Sequence, residues 1–294
     1  MRYIDYFKLA SENDEAGYIL SYPAKLEMRC YSDNVYPFKI FPYKRLGRLD
    51  FEQITILYGG NGSGKSTLLN IIAQKLALRR GAPFNNTPFL DEYIKLCECG
   101  FTYGKNAPKG SRIITSDDVF DFLLDIRAIN EGVERRREQL FDDYNEMSDP
   151  MRPTFQMKSL DDYDELKLHN EVRHSTKSAF TTRRLPQELS GKSNGESAYS
   201  FFTNEIKENA LYLLDEPENS LSPKLQLDLA SFISDSARFY GCQFLISTHS
   251  PFFLSLNGAR VYDLDSVPVV TKRWTELENV LIYHDFFENN REKF

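Results

Sequence analysis

Eight residues in the first quarter of the chain have the types and spacing that hold phosphate. The segment GGNGSGKS, Gly59 to Ser66, fits G-x-x-x-x-G-K-[ST], follows the apolar run ITILY and opens a helix. Its glycines let backbone N–H groups turn inward around phosphate oxygens, and the helix N-terminus adds favourable polarity. The predicted nucleotide-binding residues of this loop are Gly59, Gly60, Asn61, Gly62, Ser63, Gly64, Lys65, Ser66 and Thr67. Lys65 is expected to reach the β- and γ-phosphates and Ser66 to coordinate Mg²⁺.

Two further groups follow apolar runs that are typical of buried strands. LYLLDEPENSLSP ends its run in Asp215 and Glu216, and FLISTHSPFF places His249 after the next run. A carboxylate at such a strand end can hold Mg²⁺, and the adjacent one can position and deprotonate a water molecule. We predict that Asp215 binds the metal and Glu216 is the catalytic base. His249 is predicted to contact the γ-phosphate, whereas His169, His174 and His284 have no partner motif and receive no role.

A second stretch, LSGKSNGESAYSFF, raises a separate question because Gly191-Lys192-Ser193 looks like the end of another phosphate loop. Such a loop would need glycine at position 186, where the chain has Pro186, and TTRRLPQE before it is not a strand. The interpretation shifts to Ser193-Asn194-Gly195-Glu196, ahead of a helix predicted to begin near Ser197. A serine and a glycine at a helix N-terminus can bind an anion, here one supplied from outside.

The elements that position these groups are readable from hydrophobic patterns. Residues 17 to 58 alternate apolar and polar side chains with proline and glycine, which predicts short strands in GYILSYPAKLEMR, VYPFKIFPY and FEQITILY. STLLNIIAQKLAL is apolar enough for a helix buried against a sheet. NALYLLDEPE and CQFLISTHSP are continuous apolar runs of the kind covered on both faces in parallel strands. Ser222-Pro223 predicts a helix start, with Leu225, Leu229, Phe232 and Ile233 on its buried face.

Composition sets outer limits on the class of protein. The chain has 294 residues, 41% hydrophobic and 27% charged, with a formal net charge of −7, so no global positive field recruits nucleic acid. Its four cysteines are scattered, which predicts reduced thiols rather than a disulfide framework or zinc knuckle. No apolar stretch approaches the ~20 residues of a membrane span, and the N-terminus lacks the apolar run of a signal peptide. We expect a cytoplasmic protein without a membrane partner.

The motifs occur in one order: Gly59 to Ser66, then Ser193 to Glu196, then LYLLDEP, then STHSP. This order resembles the ATP-binding cassette (ABC) ATPase superfamily, whose signature motif has the form S-x-G-[QE]. DEPENSLSP and STHSPFFLS look most like its non-transporter branch, the RecF/SMC-like and OLD-like ATPases grouped as small AAA-type cassette proteins. The resemblance covers residues 50 to 75 and 187 to 265.

The resemblance implies a fold, a reaction and a partner. The expected fold is an α/β P-loop NTPase with an ABC-type mixed sheet and an inserted helical lobe. The expected reaction is Mg²⁺-dependent ATP hydrolysis, with two protomers sandwiching two ATP molecules. Ser193, Gly195 and Glu196 of one protomer would then complete the site that Lys65 holds in the other.

Three positions depart from the superfamily pattern. The glutamine usual after the first helix has no counterpart, and RIITSDDVF offers Ser116, Asp117 and Asp118. The position after Ser220-Leu221, often aspartate, is Ser222. The adenine-stacking aromatic stays open among four candidates: Tyr36, Phe38, Phe41 and Tyr43.

The lengths between motifs indicate which branch of the superfamily the chain resembles. The segment between Lys65 and Ser193 is too short for a long coiled coil and lacks sustained heptads, and the residues after His249 are too few for a fused nuclease. The leading hypothesis is a free-standing ATPase that drives or gates a separately encoded effector, by analogy a nuclease or toxin of bacterial defence. The alternatives are a slowly hydrolysing ATP-gated clamp and the nucleotide-binding subunit of a transporter.

Three segments are predicted: residues 1–80 with the phosphate loop, a helical insert at 81–186, and 187–294 with the other motifs. Two basic clusters, Arg135-Arg136-Arg137 and Arg183-Arg184, could contact DNA phosphates. Acidic side chains surround the first, however, which favours an ordinary solvated helix face: Glu131, Glu134 and Glu138.

Overall fold

The computed structural model describes residues 1–21, 35–84, 86–87, 89–104, 106–149, 163–185 and 193–293. The chain divides into two compact units. One comprises Met1–Asp121 with Ser193–Phe294, and the other comprises Phe122–Lys192. The segment boundaries expected at residues 80 and 186 stay a prediction.

The first unit is built on a six-stranded sheet with the order β5-β6-β7-β3-β8-β9. Neighbouring strands run parallel except at the edge, where the last strand is antiparallel to β8. This mixed sheet confirms the predicted α/β fold class. Its strands are β3 (Ile54–Tyr58), β5 (Arg112–Thr115), β6 (Leu211–Asp215), β7 (Gln243–Ser247), β8 (Arg260–Asp263) and β9 (Val270–Thr271).

Strand register brings the polar ends of the central strands together. Leu57 of β3 and Asp215 of β6 are both paired with Ser247 of β7, and Thr115 of β5 is paired with Asp215. The carboxyl ends of parallel strands are where open α/β sheets bind ligands. The residues that immediately follow these strands therefore meet at one edge of the sheet.

Helices bury their apolar faces against this sheet. The helix after the phosphate loop buries Leu68, Leu69, Ile71 and Ile72 completely, as its apolar sequence predicts. The helix after Ser222 buries Leu229 and Ile233, while Leu225 and Phe232 are half-buried. The helices of the first unit are α1 (Glu12–Ser21), α2 (Ile40–Tyr43), α3 (Lys65–Lys75), α4 (Leu90–Leu96), α8 (Asn194–Glu205), α9 (Pro223–Phe239), α10 (Pro251–Leu254) and α11 (Glu278–Asn289). A 33-residue helix, α5 (Ser116–Ser148), begins in the first unit and continues into the second.

The N-terminal region differs from its prediction. Residues 17–21 belong to helix α1, and VYPFKIFPY forms a turn followed by α2, so the strands predicted there are wrong. The remainder of GYILSYPAKLEMR lies outside the described residues. The first unit also contains an antiparallel sheet of three strands from other positions: β1 (Ile4–Lys8), β2 (Arg48–Asp50) and β4 (Glu98–Phe101). Aromatic residues of α2 and its turn occupy the core rather than alternating along a strand, since Phe38 and Phe41 are both buried.

The second unit is helical and has its own small core. Leu140 of α5 packs with Val172 and Phe180, and the Tyr144 hydroxyl donates to the Ser175 carbonyl oxygen at 2.9 Å. Its other helices are α6 (Tyr163–His174) and α7 (Lys177–Arg184). Among the helices that the structure describes, none is long and apolar enough to cross a membrane. Cys97, Cys99 and Cys242 are unbridged, as expected, and Cys30 lies outside the described residues.

Candidate functional site

The phosphate loop closes tightly between β3 and α3. Gly62 and Gly64 adopt φ values of 79° and 95°, in the left-handed region that glycine occupies without strain. A Cβ on Gly59 would lie 2.6 Å from the Ser63 hydroxyl oxygen, so glycine is required there as well. Lys65 is 4% exposed, and its ammonium group donates to the carbonyl oxygens of Gly59 at 2.7 Å and Gly60 at 3.2 Å. The loop thus holds a buried cation beside its own backbone.

The two predicted metal ligands lie together. The Ser66 hydroxyl donates to Asp215 Oδ1 at 3.1 Å, and the Ser247 hydroxyl donates to the same oxygen. Burial raises the pKa of Asp215, and the two hydroxyl donors oppose that rise. A hydroxyl and a carboxylate are hard oxygen ligands of the kind that Mg²⁺ prefers.

Glu216 lies at the centre of the site. Its carboxylate oxygen Oε1 is 3.1 Å from His249 Nε2 and 3.6 Å from Lys65 Nζ, and Oε2 accepts from the Asn219 amide at 3.1 Å. Its φ of 49° is a left-handed conformation that costs a non-glycine residue free energy, as is common at functional sites. The hydrogen bond from His249 contributes most to lowering the pKa of Glu216, to about 2. The carboxylate is therefore ionised at neutral pH.

His249 connects to the same cluster. Its Nε2 atom lies 3.0 Å from Lys65 Nζ as well as 3.1 Å from Glu216. The structure thus brings the three predicted catalytic residues, Lys65, Glu216 and His249, into one hydrogen-bonded group. Their order along the chain alone did not establish these contacts.

Glu218 organises the histidine loop and was missed in the sequence. Its Oε1 atom accepts from the Thr248 hydroxyl at 2.7 Å, from the His249 backbone N–H at 2.7 Å and from the Ser250 N–H at 3.2 Å. Burial raises the pKa of this carboxyl, and the Thr248 hydroxyl and the His249 backbone N–H oppose the rise. The available signal was a third carboxylate two residues after Glu216, within DEPE.

A polar cavity of about 940 Å³ opens beside the metal ligands. Ser116 and Asp117 line it together with Ser66, Asp215 and Glu216. Asp118 does not, because its buried carboxylate accepts from the backbone N–H groups of Ala82 and Thr115, both at 2.7 Å. Of the three residues that stand where the superfamily has glutamine, two remain candidates to act in the cavity.

Arg80 is a second residue that sequence reasoning missed. It lines the same cavity, donates to the Asn70 amide oxygen and stacks its guanidinium 4.0 Å over the Phe84 ring. Its only sequence signal is a basic pair, Arg79-Arg80, after the helix of the phosphate loop. The fold thus places a cation in the lining of the cavity that also contains Asp117, Asp215 and Glu216.

Asp265 braces the phosphate loop from another strand. Its carboxylate accepts from the Gly60 backbone N–H at 2.6 Å, and it follows β8, whose residue Asp263 is paired with Tyr58. Nothing in the sequence pattern marks this residue, since 205 positions separate it from Gly60. Strand pairing alone brings them together.

The signature segment forms a capped helix start. Ser193 is the N-cap of α8, which begins at Asn194 rather than near Ser197 as predicted. The Ser193 hydroxyl accepts from the Glu196 N–H at 3.3 Å, and Glu196 Oε2 accepts from the Ser193 N–H at 2.8 Å, which is a capping box. A Cβ on Gly195 would lie 3.0 Å from Leu225 Cδ1, so this glycine also permits close packing. Gly191 and Lys192 lie outside the described residues.

The four aromatic candidates for adenine stacking differ in exposure. Phe38 and Phe41 are buried in the core, and the Tyr36 hydroxyl donates to Thr67 Oγ1 at 3.0 Å. Tyr43 is 79% exposed. Only Tyr43 of these four has a ring that is largely open to solvent.

The basic clusters of the helical unit are engaged by acidic neighbours. Arg184 donates to Glu171 at 3.0 and 2.6 Å, and Arg183 lies 3.7 Å from the same carboxylate. Arg137 lies near Glu134 at 2.5 Å, while Arg135 is 3.9 Å from Glu131. These pairs reduce the positive charge that could face DNA phosphates.

The family model described as "AAA domain, putative AbiEii toxin, Type IV TA system" matches residues 116–255, a little under half of the chain. No curated protein matches the sequence. The chain is similar to a solved nucleotide-free ATP-binding cassette from an ABC transporter, with 14% identity, TM-score 0.43 and coverage of 97% of this chain and 96% of that one.

Two solved SMC head structures are also similar to this chain. An SmcHead bound to the C-winged helix domain of ScpA has 16% identity, TM-score 0.40 and coverage of 77% and 93% of the two chains. The SMC head domain from Thermotoga maritima has 15% identity, TM-score 0.34 and coverage of 74% and 88%.

The sheet, the phosphate loop and the acidic strand end define a P-loop nucleoside triphosphatase of the α/β class. The family match contains Ser193, Asp215, Glu216 and His249, and the phosphate loop precedes it. Together they make the chain similar to ABC-type ATPases and support ATP binding and hydrolysis.

Proposed function

We propose that two copies of this chain sandwich ATP and that the resulting cycle drives or gates an effector on another chain. The observation that carries the proposal is the cluster in which Lys65, Glu216 and His249 lie within 3.6 Å of one another. Such a group can hold phosphate, activate water and respond to the γ-phosphate at one place.

In this mechanism the loop backbone and Lys65 hold the phosphates, because inward N–H groups and a buried ammonium match their charge. Glu216 positions the attacking water and accepts its proton. His249 faces the γ-phosphate as a hydrogen-bond donor. Since the phosphates compete for Lys65 and His249, their arrival would release the Glu216 carboxylate from both partners.

Mg²⁺ fits the residues present. The Ser66 hydroxyl and the Asp215 carboxylate converge within 3.1 Å beside the polar cavity, and both are suitable oxygen ligands. When bound, Mg²⁺ would neutralise charge on the phosphate oxygens. ATP rather than another nucleotide is inferred from the family.

The second half of the site is proposed to come from the partner protomer. The N-terminus of α8 carries the exposed Ser193 with Gly195 and Glu196 in the first turn, and such a helix end attracts an anion. This helix end would face the γ-phosphate held by Lys65 of the other copy. The description of the matching family names a toxin system, and the effector is proposed to belong to a system of that kind.

Glu216→Gln tests the mechanism and the sandwich together. We expect ATP turnover to fall by at least about 100-fold while ATP binding is retained, because only proton acceptance is lost. Light scattering with Mg²⁺-ATP should then show added association of protomers, and Ser193→Arg in the same background should abolish it.

The matched control is Glu208→Gln, an exposed carboxylate outside the cluster. It should leave turnover unchanged. Unchanged ATP turnover in Glu216→Gln would contradict the assignment of Glu216 as the catalytic base. If Glu216→Gln has the same mass with and without Mg²⁺-ATP, the proposed sandwich is contradicted.

A slowly hydrolysing, ATP-gated clamp is the second candidate. It is favoured by the contacts of Glu216, whose carboxylate is held by Lys65 and His249 and must leave them before acting as a base. Single-turnover kinetics separate the two. A slow chemical step in stable ATP-bound dimers supports the clamp, and fast steady-state turnover supports the ATPase motor.

A further inference from the structure

Ser247, the last residue of β7, contacts both acidic residues of the candidate site. Its side-chain hydroxyl donates to Asp215 Oδ1, and its backbone carbonyl oxygen accepts from the Glu216 N–H at 3.0 Å. Asp215 and Ser247 are paired across the parallel strands β6 and β7, so the register of the sheet holds them side by side. One residue is thus bonded to the candidate metal ligand through its side chain and to the candidate base through its backbone.

Ser247 lies at a position where the core would accept an apolar side chain. Successive residues of a strand point to opposite faces of the sheet, so Leu213 and Leu245 precede Asp215 and Ser247 on the same face. Both leucines are buried in the main apolar core, and Ser247 is itself 0% exposed. A buried hydroxyl costs free energy unless it is hydrogen-bonded. Among the described residues, the side-chain partner that satisfies it is Asp215.

The two oxygens of Asp215 have different surroundings. The hydroxyls of Ser66 and Ser247 both donate to Oδ1, and within the described part of the chain no hydrogen bond engages Oδ2. Asp215 and Ser66 line the polar cavity, whereas Ser247 does not belong to the described residues of its lining. Ser247 therefore holds the carboxylate from inside the sheet, away from the space that the metal and the phosphates would occupy.

We propose that Ser247 is a positioning residue that orients the Asp215 carboxylate toward Mg²⁺ and thereby strengthens the contribution of the metal to nucleotide binding. Hydrogen-bond partners of metal ligands fix the direction of the ligand and tune metal affinity. Mg²⁺ requires nearly octahedral geometry, so a carboxylate that is free to rotate would bind it less well. The inference rests on the proposed Mg²⁺ site of Ser66 and Asp215, and it adds a residue that does not itself bind the metal.

The test is equilibrium binding of mant-ADP, a fluorescent ADP, to the full chain in Mg²⁺ and in EDTA. In the unaltered protein Mg²⁺ should lower the Kd, and the ratio of the two Kd values measures the contribution of the metal. In Ser247→Ala this ratio should fall toward 1, because loss of such a partner costs about 10- to 100-fold in metal affinity. The Kd in EDTA should stay the same, since Lys65 and the loop backbone hold the phosphates without the metal.

The matched control is Ser111→Ala, which removes a buried hydroxyl from the opposite end of β6. Ser111 is 3% exposed, and its hydroxyl accepts from the N–H of Leu211, the first residue of β6, at 2.9 Å. This variant should keep the Mg²⁺ effect of the unaltered protein. Circular dichroism should show that both alanine variants are folded.

Ca²⁺ separates the orientation of the carboxylate from its charge. Ca²⁺ accepts six to eight oxygen ligands in flexible geometry, whereas Mg²⁺ does not. Ser247→Ala should therefore reduce the effect of Ca²⁺ on mant-ADP binding by a smaller factor than the effect of Mg²⁺. Equal losses for the two metals would contradict a role in orientation.

An unchanged Mg²⁺ effect in Ser247→Ala would overturn the proposal and leave the Mg²⁺ site itself standing. An equal loss of mant-ADP affinity with and without the metal would also overturn it, because that result indicates a general structural role. If Mg²⁺ has no effect on the unaltered protein, the Mg²⁺ site and this proposal fail together. The measurements use ADP, which lacks the γ-phosphate, so a failure of the sandwich or of the effector proposal leaves their outcome unaffected.

Discussion

Glu218 shows how a residue outside the recognised motifs controls one inside them. Three donors from the loop that carries His249 meet one of its carboxylate oxygens. Because the His249 backbone is held in this way, its ring can meet Glu216 and Lys65 at the same time. The position of the histidine ring is thus a property of two strands and not of the histidine loop alone.

At the residue scale we expect Glu218→Ala to lower kcat by about 10-fold or more. Loss of the hydrogen bonds to Glu218 would displace His249, and a displaced catalytic group slows the reaction. Glu218→Gln keeps one acceptor oxygen and should retain most activity. Steady-state kinetics at saturating ATP measure both. Equal kcat in the alanine variant and the unaltered protein would show that Glu218 does not position His249.

Glu218→Gln is also expected to change the stability of the fold in a pH-dependent way. Burial raises the pKa of Glu218 in the folded protein above its value in the unfolded chain. As pH rises from the unfolded pKa through the folded pKa, ionisation of this carboxyl therefore lowers the stability of the fold. Glu218→Gln removes the ionisation. Its melting temperature, relative to the unaltered protein, should therefore be higher at about pH 8 than at about pH 5. If the difference in melting temperature between the two proteins is the same at both pH values, a raised pKa of Glu218 is contradicted.

Asp265 acts on the phosphate loop from β8. Its bond to the Gly60 N–H fixes the loop entrance, so Asp265→Ala should raise the KM for ATP about 3- to 10-fold with a smaller change in kcat. Kinetics over a range of ATP concentrations separate the two parameters. Asp228→Ala, at an exposed position on α9, is the control. A fall in kcat alone would indicate a role other than bracing the loop.

At the scale of elements, helix α8 depends on Ser193 for two different properties. Ser193 caps the helix, and it is also proposed to face the nucleotide of the partner. Ser193→Ala should lower the free energy of unfolding by about 1 kcal/mol through loss of the cap and should abolish ATP-dependent association. Ser193→Thr keeps a capping hydroxyl and should retain both properties. Denaturant unfolding and light scattering measure them separately, and an alanine variant that still associates would leave Ser193 as a cap only.

Element type was readable where buried apolar runs were continuous. LYLLD and QFLIS form the central parallel strands because both faces are covered, and STLLNIIAQK forms a buried helix. VYPFKIFPY was misread because its aromatic residues alternate with polar ones as in a strand. Its two prolines and the tertiary packing of Phe38 and Phe41 favour a turn and a short helix instead.

At the scale of the whole molecule, association of two protomers is expected to follow the nucleotide state. Glu216→Gln should have a larger mass with Mg²⁺-ATP than with Mg²⁺-ADP, because only ATP supplies the γ-phosphate that Ser193 of the other copy is proposed to face. Light scattering with each nucleotide measures this. Equal masses with the two nucleotides would contradict the proposed sandwich.

The sequence by itself predicted the chemistry: a phosphate loop, a pair of candidate metal ligands, a candidate acidic base and a histidine, each adjacent to an element with a clear hydrophobic pattern. These signals are local, since they depend on glycine conformations, capping and continuous apolar runs within about ten residues. Only the tertiary structure decided which side chains meet. Glu218 reaches the histidine loop, Asp265 reaches Gly60, and Asp118 turns away from the cavity, because strand order and register bring together residues that are distant in the chain. Contacts between residues so far apart in the chain leave no local pattern in the sequence.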